Sequence, residues 1–162
     1  MNMSSQQSLP YPDTDGIIKN PAFINDISAM RVAELGDVSD YIYFSLMLDS
    51  EYPTLAGLFE KMAMTEMRHF ALLGKAVIAM GGDPAVRVRH TNPFYGKPDK
   101  LDTTAVKRII TGALENERTA TKKYLNLANA MSCDKTAVAL FERIAADEEH
   151  HARMLSRALD DL

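Results

Sequence analysis

The sequence predicts an all-α fold, an antiparallel four-helix bundle made of two helical hairpins joined by a long crossover. The first observation is that apolar residues recur at three- and four-residue steps in four long stretches of the chain. The second is that short connections join the first stretch to the second and the third to the fourth, which makes each pair antiparallel neighbours. The third is a connection of roughly 20 residues, rich in proline and glycine, between the two pairs.

The first hairpin contains the first two predicted helices. Its first helix begins near Pro21 and ends near Ser50, before Pro53. The second helix begins at Thr54, a residue type that caps helix N-termini, and ends at Gly81, where glycine followed by proline stops a helix. The crossover after it is long enough to run along the whole bundle. The second and third helices are therefore expected to be parallel.

The second hairpin contains the other two predicted helices. The third helix starts near Asp102 or Thr103 and runs to about Met131. A tight turn follows, and the fourth helix runs from about Lys135 to Leu159. Since no further composition change occurs, residues 21–162 are expected to form one bundle domain.

Residues 1–20 are rich in Ser, Gln and Pro, and are predicted to form a flexible or loosely docked arm.

The composition excludes several classes of protein and site. The formal net charge of −4 argues against nucleic acid as a partner. No apolar run approaches ~18 residues and no secretory signal precedes Lys19, so no membrane partner is expected and the expected location is the cytoplasm. Cys133 is the only cysteine, which excludes an intramolecular disulfide and a four-cysteine metal site.

Each predicted helix carries one glutamate at the centre of its apolar stripe. At about 100° per residue, these glutamates all point toward the bundle axis. They are Glu34, Glu66, Glu117 and Glu148. Glutamate is almost never fully buried unless it is paired, and an isolated buried carboxylate costs several kcal/mol. Four such residues, one per helix, require a common positive counter-charge.

Two of these glutamates are followed, one turn later on the same face, by a histidine. Glu66 and His69 form one E-x-x-H pair, and Glu148 and His151 form the other. With neutral imidazoles, the four carboxylates carry a total charge of −4, which two divalent cations would neutralise. The sequence therefore predicts a site for two metal ions.

Tyrosines repeat in the same pattern. Tyr41 follows Glu34 by seven residues and Tyr124 follows Glu117 by seven, so each tyrosine shares the face of its glutamate. These tyrosines could simply fill the core. A buried hydroxyl needs a partner, however, and a hydrogen bond to a ligand carboxylate across the bundle is the preferred interpretation.

These motifs resemble those of the ferritin-like di-iron carboxylate superfamily, with the rubrerythrin and bacterioferritin branches most similar. The stretches that carry the resemblance are AELGDVSDYIYF, TEMRHFALLGKAV, ALENERTATKKYL and RIAADEEHHARML. The resemblance covers Phe23 to Leu159 without the crossover, and it implies a ferritin-like bundle.

The resemblance also implies a role for each candidate ligand. Glu34 and Glu117 correspond to terminal carboxylates, and Glu66 and Glu148 to bridging carboxylates. The corresponding terminal nitrogen ligands are His69 and His151.

Three departures from the family pattern matter. With Cys133 alone, no four-cysteine rubredoxin domain is expected. Rubrerythrins often carry an extra glutamate one turn beyond the third-helix ligand, where this chain has Ala120. Bacterioferritins continue into a fifth helix, whereas this sequence ends at Leu162. A built-in electron relay and a full cage are therefore not expected.

The resemblance implies a non-haem oxidoreductase that holds two iron ions, with manganese as the alternative metal. Such an enzyme would react with peroxide or O2, as a peroxidase or a ferroxidase, and would take electrons from an external donor. A manganese catalase-like enzyme, an iron storage or cargo protein, and a purely structural bundle are the alternatives. The habit of the superfamily suggests a homodimer.

Several other residues compete for a role in the site. Glu115 lies two residues from Glu117 and is expected on the solvated face. Solvated positions are also expected for Asp147, Glu149 and His150. For Asp37, one turn after Glu34, a surface or supporting position is preferred over a ligand role. His90 lies in the crossover, where nothing indicates a ligand role.

Met67 raises the question of haem. In bacterioferritins a methionine directly after the second-helix glutamate ligates haem across a twofold interface. Met67 follows Glu66 here, but it lies about 100° away from the core stripe, and the chain has 10 methionines. A packing or interface role is preferred, and haem is not expected.

Overall fold

The computed structural model describes residues 9–86 and 101–162. Within these ranges it contains four α-helices. They are α1 (Ile24–Leu48), α2 (Pro53–Ala79), α3 (Thr103–Ala130) and α4 (Lys135–Asp160). Helix α1 packs along α2 and α3 packs along α4, so the predicted all-α bundle of two hairpins is confirmed.

The helix N-termini follow from local chemistry. The carboxylate of Asp102 accepts a hydrogen bond from the backbone N–H of Ala105 at 2.7 Å, and Asp134 caps α4 in the same way. The prediction that Thr54 caps α2 is wrong. Pro53 occupies the first helical position, which suits proline because that position needs no backbone N–H, and Tyr52 stands at the cap without a side-chain bond.

Among the described residues, the apolar core consists of two clusters along the bundle axis. One contains Leu73 of α2 and Leu127 of α3, both from the C-terminal halves of their helices. The other contains Phe59 of α2 and Ile110 of α3, both from the N-terminal halves. Helices α2 and α3 therefore run in the same direction, as the length of the crossover predicted. A layer of buried charged residues lies between the two clusters.

The described part of the predicted N-terminal arm, residues 9–20, lies against α4. The backbone N–H of Ile18 donates to Asp134 at 2.7 Å, and Arg143 Nε donates to the carbonyl of Leu9 at 2.7 Å. Ile17 is buried in the first core cluster. This segment therefore covers a side of α4 that would otherwise face water.

The outer face of the first hairpin carries exposed apolar side chains. They include Val32, Tyr43, Leu46, Met64, Met67 and Ile78. The Met67 side chain is 50% exposed on this face. None of the described helices combines the length and apolarity that crossing a membrane requires.

Helix α2 ends in a turn that depends on glycine. Gly81 has φ of +91°, a left-handed conformation, and its N–H donates to the carbonyl of Ile78 at 2.9 Å. The N–H of Gly82 donates to the carbonyl of Val77 at 2.9 Å. These bonds satisfy carbonyls that the helix end leaves open. A β-carbon at Gly81 would also lie 2.9 Å from Lys19 Cε.

We predict that Gly81→Ala lowers the free energy of unfolding by about 1 kcal/mol, because alanine is strained at positive φ. The matched control is Gly57→Ala inside α2, where an added β-carbon meets nothing within 4 Å. That change should raise the free energy of unfolding by about 0.5–1 kcal/mol through helix propensity. Urea denaturation of both variants measures the difference, and equal effects would contradict the turn geometry.

Candidate metal centre

The four helices bring all six predicted ligands into one buried layer. Among the described residues, two groups of four have potential ligand atoms that all lie within 4.8 Å of one another. One group is Glu34, Glu66, His69 and Glu148, and the other is Glu66, Glu117, Glu148 and His151. Because Glu66 and Glu148 belong to both groups, the two groups form a single cluster with shared carboxylates in the middle.

The histidine nitrogens define how the groups overlap. His69 Nδ1 lies 2.8 Å from Glu66 Oε2 and 3.1 Å from Glu148 Oε1. His151 Nδ1 lies 2.8 Å from Glu66 Oε1 and 3.7 Å from Glu148 Oε2. The two oxygens of Glu66 thus face different histidines, and so do the two oxygens of Glu148. This is the arrangement that a carboxylate bridging two cations would adopt.

The two remaining glutamates lie at the outer ends of the cluster. Glu34 Oε2 is 3.6 Å from His69 Nδ1, and Glu117 Oε2 is 3.4 Å from His151 Nδ1. Glu34 therefore belongs only to the group that contains His69, and Glu117 belongs only to the group that contains His151. The sequence contains an internal repeat, because each hairpin has a glutamate followed seven residues later by a tyrosine and then an E-x-x-H pair. The cluster has an approximate twofold symmetry that matches this repeat.

Several buried atoms of the cluster make no hydrogen bond of regular geometry within the described part of the chain, although the histidine nitrogens among them face glutamate oxygens. They are both carboxylate oxygens of Glu66, Glu117 Oε2, Glu148 Oε1, His69 Nδ1 and His151 Nδ1. A buried polar atom without a partner costs about 1–3 kcal/mol, so such atoms rarely gather without a reason. Cations among them would satisfy all of these atoms, and carboxylate with imidazole is a donor set that suits iron or manganese.

Electrostatics within the cluster show an excess of negative charge. Burial and the neighbouring Glu148 carboxylate raise the pKa of Glu34 to about 8. The same two causes raise the pKa of Glu117 well above its usual value. Protons on these carboxyl groups relieve part of the repulsion when only protein groups are present.

The glutamate charges also shift the pKa values of the two histidines. Burial disfavours the charged imidazolium, but the adjacent Glu148 carboxylate outweighs it and raises the pKa of His69 well above its usual value. His151 is also buried, and the surrounding glutamates, Glu117 first, raise its pKa in the same direction. Burial alone would raise the pKa of Glu148, yet the charge of His69 and contacts with both histidines lower it. Bound cations would replace protons in this cluster.

Tyr41 and Tyr124 connect the two hairpins at the site. The Tyr124 hydroxyl, from α3, donates a hydrogen bond to Glu34 Oε1 on α1. The Tyr41 hydroxyl, from α1, donates to Glu117 Oε1 on α3. Burial raises the pKa of both tyrosines, so the hydroxyls keep their protons. Each outer glutamate therefore has one oxygen held by a tyrosine and one directed at the cluster, through the contact expected from the sequence.

The prediction that Asp147 is solvated is wrong. Its side chain is buried, with 3% of the residue exposed, because the N-terminal segment covers this side of α4. Asp147 Oδ2 lies 3.1 Å from His69 Nε2, and Asp147 Oδ1 lies 2.6 Å from Arg143. The hydroxyl of Tyr11 also donates to Asp147 Oδ2. Burial opposes ionisation of Asp147, but the His69, Arg143 and Tyr11 contacts lower its pKa.

Sequence signals for these two residues differ. Asp147 continues the three- and four-residue spacing of Leu140, Ile144 and His151, so periodicity could have placed it on a buried face. Tyr11 lies in a proline-containing stretch without periodicity, and no sequence signal points to it.

The competing residues lie away from the cluster. Glu115 is exposed, and Glu149 pairs with Arg153 at 2.8 Å near the surface. His150 is half-buried and belongs to neither group of potential ligands. The prediction for His90 concerns a residue outside the described ranges.

A cavity of about 650 Å³ lies between α1 and α3 and reaches the cluster. Its lining includes Glu34 and Tyr124 at the site and Asp37 and Lys123 toward the surface. Asp37 is half-buried, and burial together with the charges of Glu66 and Glu148 raises its pKa to about 7. Small molecules from solvent can approach the outer glutamate of the first group through this cavity.

The fold and the site together define a ferritin-like protein, in which four helices surround a buried cluster of carboxylates and histidines that could hold two metal ions. A search of curated proteins finds no match. The model of the rubrerythrin family matches residues 30–160, and the chain belongs to this family, a ferritin-like di-iron family. The match includes all six residues of the cluster.

We predict that metal binding releases protons and strengthens as pH rises from 6 to 8. Below its pKa of about 8 the Glu34 carboxyl holds a proton, which a cation must displace. The affinity should rise by about tenfold per pH unit for each proton displaced. Titration of metal-free protein with Mn²⁺ at several pH values, in weak buffer with a pH indicator, measures both quantities. An affinity that stays constant from pH 6 to 8 would contradict these shifts.

Proposed function

We propose that the protein is a non-haem oxidoreductase that holds two iron ions and reacts with peroxide or O2. The observation that carries the proposal is the pair of overlapping ligand groups that share Glu66 and Glu148. The buried atoms without hydrogen-bond partners support it, because they converge on the space that two cations would fill. Membership of a di-iron family supports it independently.

The proposed ligands divide into two half-sites. The first half-site consists of Glu34 and His69, and the second consists of Glu117 and His151. Glu66 and Glu148 would bridge the two ions, since each presents its two oxygens to different histidines. Four carboxylates with two neutral imidazoles carry a charge of −4, so two divalent ions make the buried layer neutral.

The chemistry that two bound iron ions supply is a shared two-electron change at peroxide or O2. The residues of the chain hold and shield the site. Tyr41 and Tyr124 each keep their proton and donate a hydrogen bond to one oxygen of an outer glutamate, which fixes the direction of the other oxygen. The apolar clusters on both sides of the layer exclude water from it. Substrate would enter through the cavity between α1 and α3, beside Glu34.

Electrons for a peroxidase or ferroxidase reaction would come from an external donor. A manganese-loaded protein would instead act in the manner of a catalase, without external electrons, and the carboxylate-rich donor set also suits manganese. The homodimer expected from the resemblance remains a prediction. Light scattering distinguishes such a dimer from the large assembly that an iron storage protein would form.

We predict that loss of a shared glutamate has a larger effect than loss of an outer one. The wild type should hold about two metal ions per chain. Glu66→Ala and Glu148→Ala should each lose both ions, whereas Glu34→Ala should keep about one, because the second half-site stays intact. Elemental analysis after anaerobic Fe²⁺ loading measures these numbers.

The control for these variants is Glu149→Ala, which changes a surface carboxylate on α4 and should keep both ions. Circular dichroism should show that every variant retains its helices, because the two apolar clusters on either side of the charged layer are unchanged. Retention of two ions by Glu66→Ala would refute the ligand assignment.

We also predict that iron-loaded protein consumes hydrogen peroxide in the presence of a reductant and does so far more slowly without one. Glu66→Ala should lose this activity and Glu149→Ala should keep it. Peroxide loss with release of O2, in the absence of a reductant, would favour the catalase variant. If iron- and manganese-loaded proteins consume neither peroxide nor O2, the proposed oxidoreductase function is wrong.

A further inference from the structure

The two half-sites are nearly equivalent in their inner contacts. Each pairs one outer glutamate with one histidine, and each outer glutamate accepts a hydrogen bond from a tyrosine of the opposite hairpin. Both histidines direct Nδ1 toward the shared carboxylates. Within the bundle itself, nothing in these contacts makes one half-site stronger than the other.

The equivalence ends at the far side of the histidines. His69 Nε2 lies 3.1 Å from the carboxylate of Asp147, the residue directly before Glu148. The internal repeat places Thr65, directly before Glu66, at the corresponding position for His151. The Thr65 hydroxyl instead donates to the carbonyl of Lys61 at 3.3 Å. The first half-site therefore has a carboxylate at the far nitrogen of its histidine, whereas the residue at the matching sequence position for the second half-site is a neutral threonine.

The N-terminal segment holds Asp147 in position. The Tyr11 hydroxyl donates to Asp147 Oδ2 and also lies 3.3 Å from His69 Nε2. Two guanidinium groups lie near the Tyr11 ring, with Arg143 Cζ at 4.3 Å from the ring centroid and Arg68 Cζ at 5.4 Å. Arg143 also binds Asp147 Oδ1 at 2.6 Å and the carbonyl of Leu9. One arginine thus connects the segment, the carboxylate and the aromatic ring.

This arrangement determines which ring nitrogen of a neutral His69 carries the proton. When Nε2–H donates to Asp147, the lone pair of the imidazole lies on Nδ1, which faces the shared carboxylates. A carboxylate behind a ligating histidine also fixes the ring orientation and raises the basicity of the ligand nitrogen. Both effects strengthen a bond from Nδ1 to a cation.

We propose that the N-terminal segment, through Tyr11 and Asp147, makes the first half-site the tighter of the two metal-binding half-sites. Asp147 and Tyr11 are positioning residues that act on the ion through His69. The inference rests on the proposed function, because it assumes that the cluster binds two ions. It predicts that the protein fills its half-sites in a fixed order, the His69 half-site first.

The test is an anaerobic titration of metal-free full-length protein with Co²⁺, in which the visible absorption of the bound Co²⁺ is recorded after each addition. The wild type should bind Co²⁺ in two resolved steps. Asp147→Asn keeps the size of the side chain and should weaken the tighter step by roughly 10- to 100-fold, leaving the weaker step unchanged. Tyr11→Phe keeps the aromatic ring beside the arginines and should weaken the same step by roughly threefold to tenfold, because one hydrogen bond is lost.

Thr65→Val is the matched control, since it alters the corresponding position behind the second half-site and should change neither step. A second measurement separates positioning from general stability. In proton NMR of the Co²⁺-loaded protein, the strongly shifted Nε2–H signal of His69 should move and exchange faster with solvent in Asp147→Asn, and should be unchanged in Thr65→Val.

Three outcomes would overturn the inference while leaving the proposed function intact. These are two equal steps in the wild type, equal weakening of both steps in Asp147→Asn, and no change in either step. Failure of the wild type to bind Co²⁺ at all would instead count against the proposed function. A lower unfolding temperature in Tyr11→Phe with unchanged Co²⁺ steps would show that the segment has only a structural role.

Discussion

The structure depends on one electrostatic constraint: four carboxylates point into the apolar interior of a small bundle. Burial of an uncompensated carboxylate costs several kcal/mol, so the layer that contains Glu34, Glu66, Glu117 and Glu148 needs positive charge within it. Protons on Glu34 and Glu117 supply part of it when only protein groups are present, as their raised pKa values show. Divalent cations would supply it more completely, because they also satisfy the buried atoms that lack hydrogen bonds.

The same constraint links the two hairpins. Each group of potential ligands takes residues from both hairpins, so bound cations would hold the hairpins together. The hydrogen bonds of Tyr41 and Tyr124 also hold the hairpins together, since each tyrosine binds a glutamate of the opposite hairpin. The apolar clusters on both sides of the layer provide the remaining packing. Metal binding would therefore be coupled to the association of the two hairpins.

The helices and the inner cluster could be predicted from sequence because both follow from periodicity. A glutamate at the centre of an apolar stripe must point inward, and a histidine one turn later must share its face. The spacing of Asp147 from Ile144 and His151 is that of a buried face, but its contacts with Tyr11 and Arg143, which complete its burial and satisfy its charge, are visible only in the tertiary structure. Tyr11 lies in a stretch without periodicity, and its contact with Asp147 joins residues 136 positions apart. Only the tertiary structure shows this contact. The cap of α2 was misplaced because Pro53 starts the helix one residue before Thr54.

The central claim is that a pair of cations occupies the carboxylate layer. Anomalous X-ray diffraction from crystals of iron-loaded protein, with data collected on both sides of the iron absorption edge, tests this claim most directly. The account predicts two anomalous peaks roughly 3.5–4 Å apart, one beside His69 Nδ1 and one beside His151 Nδ1, with Glu66 and Glu148 between them. A single peak, or no peak among these six residues in protein shown to contain iron, would contradict it.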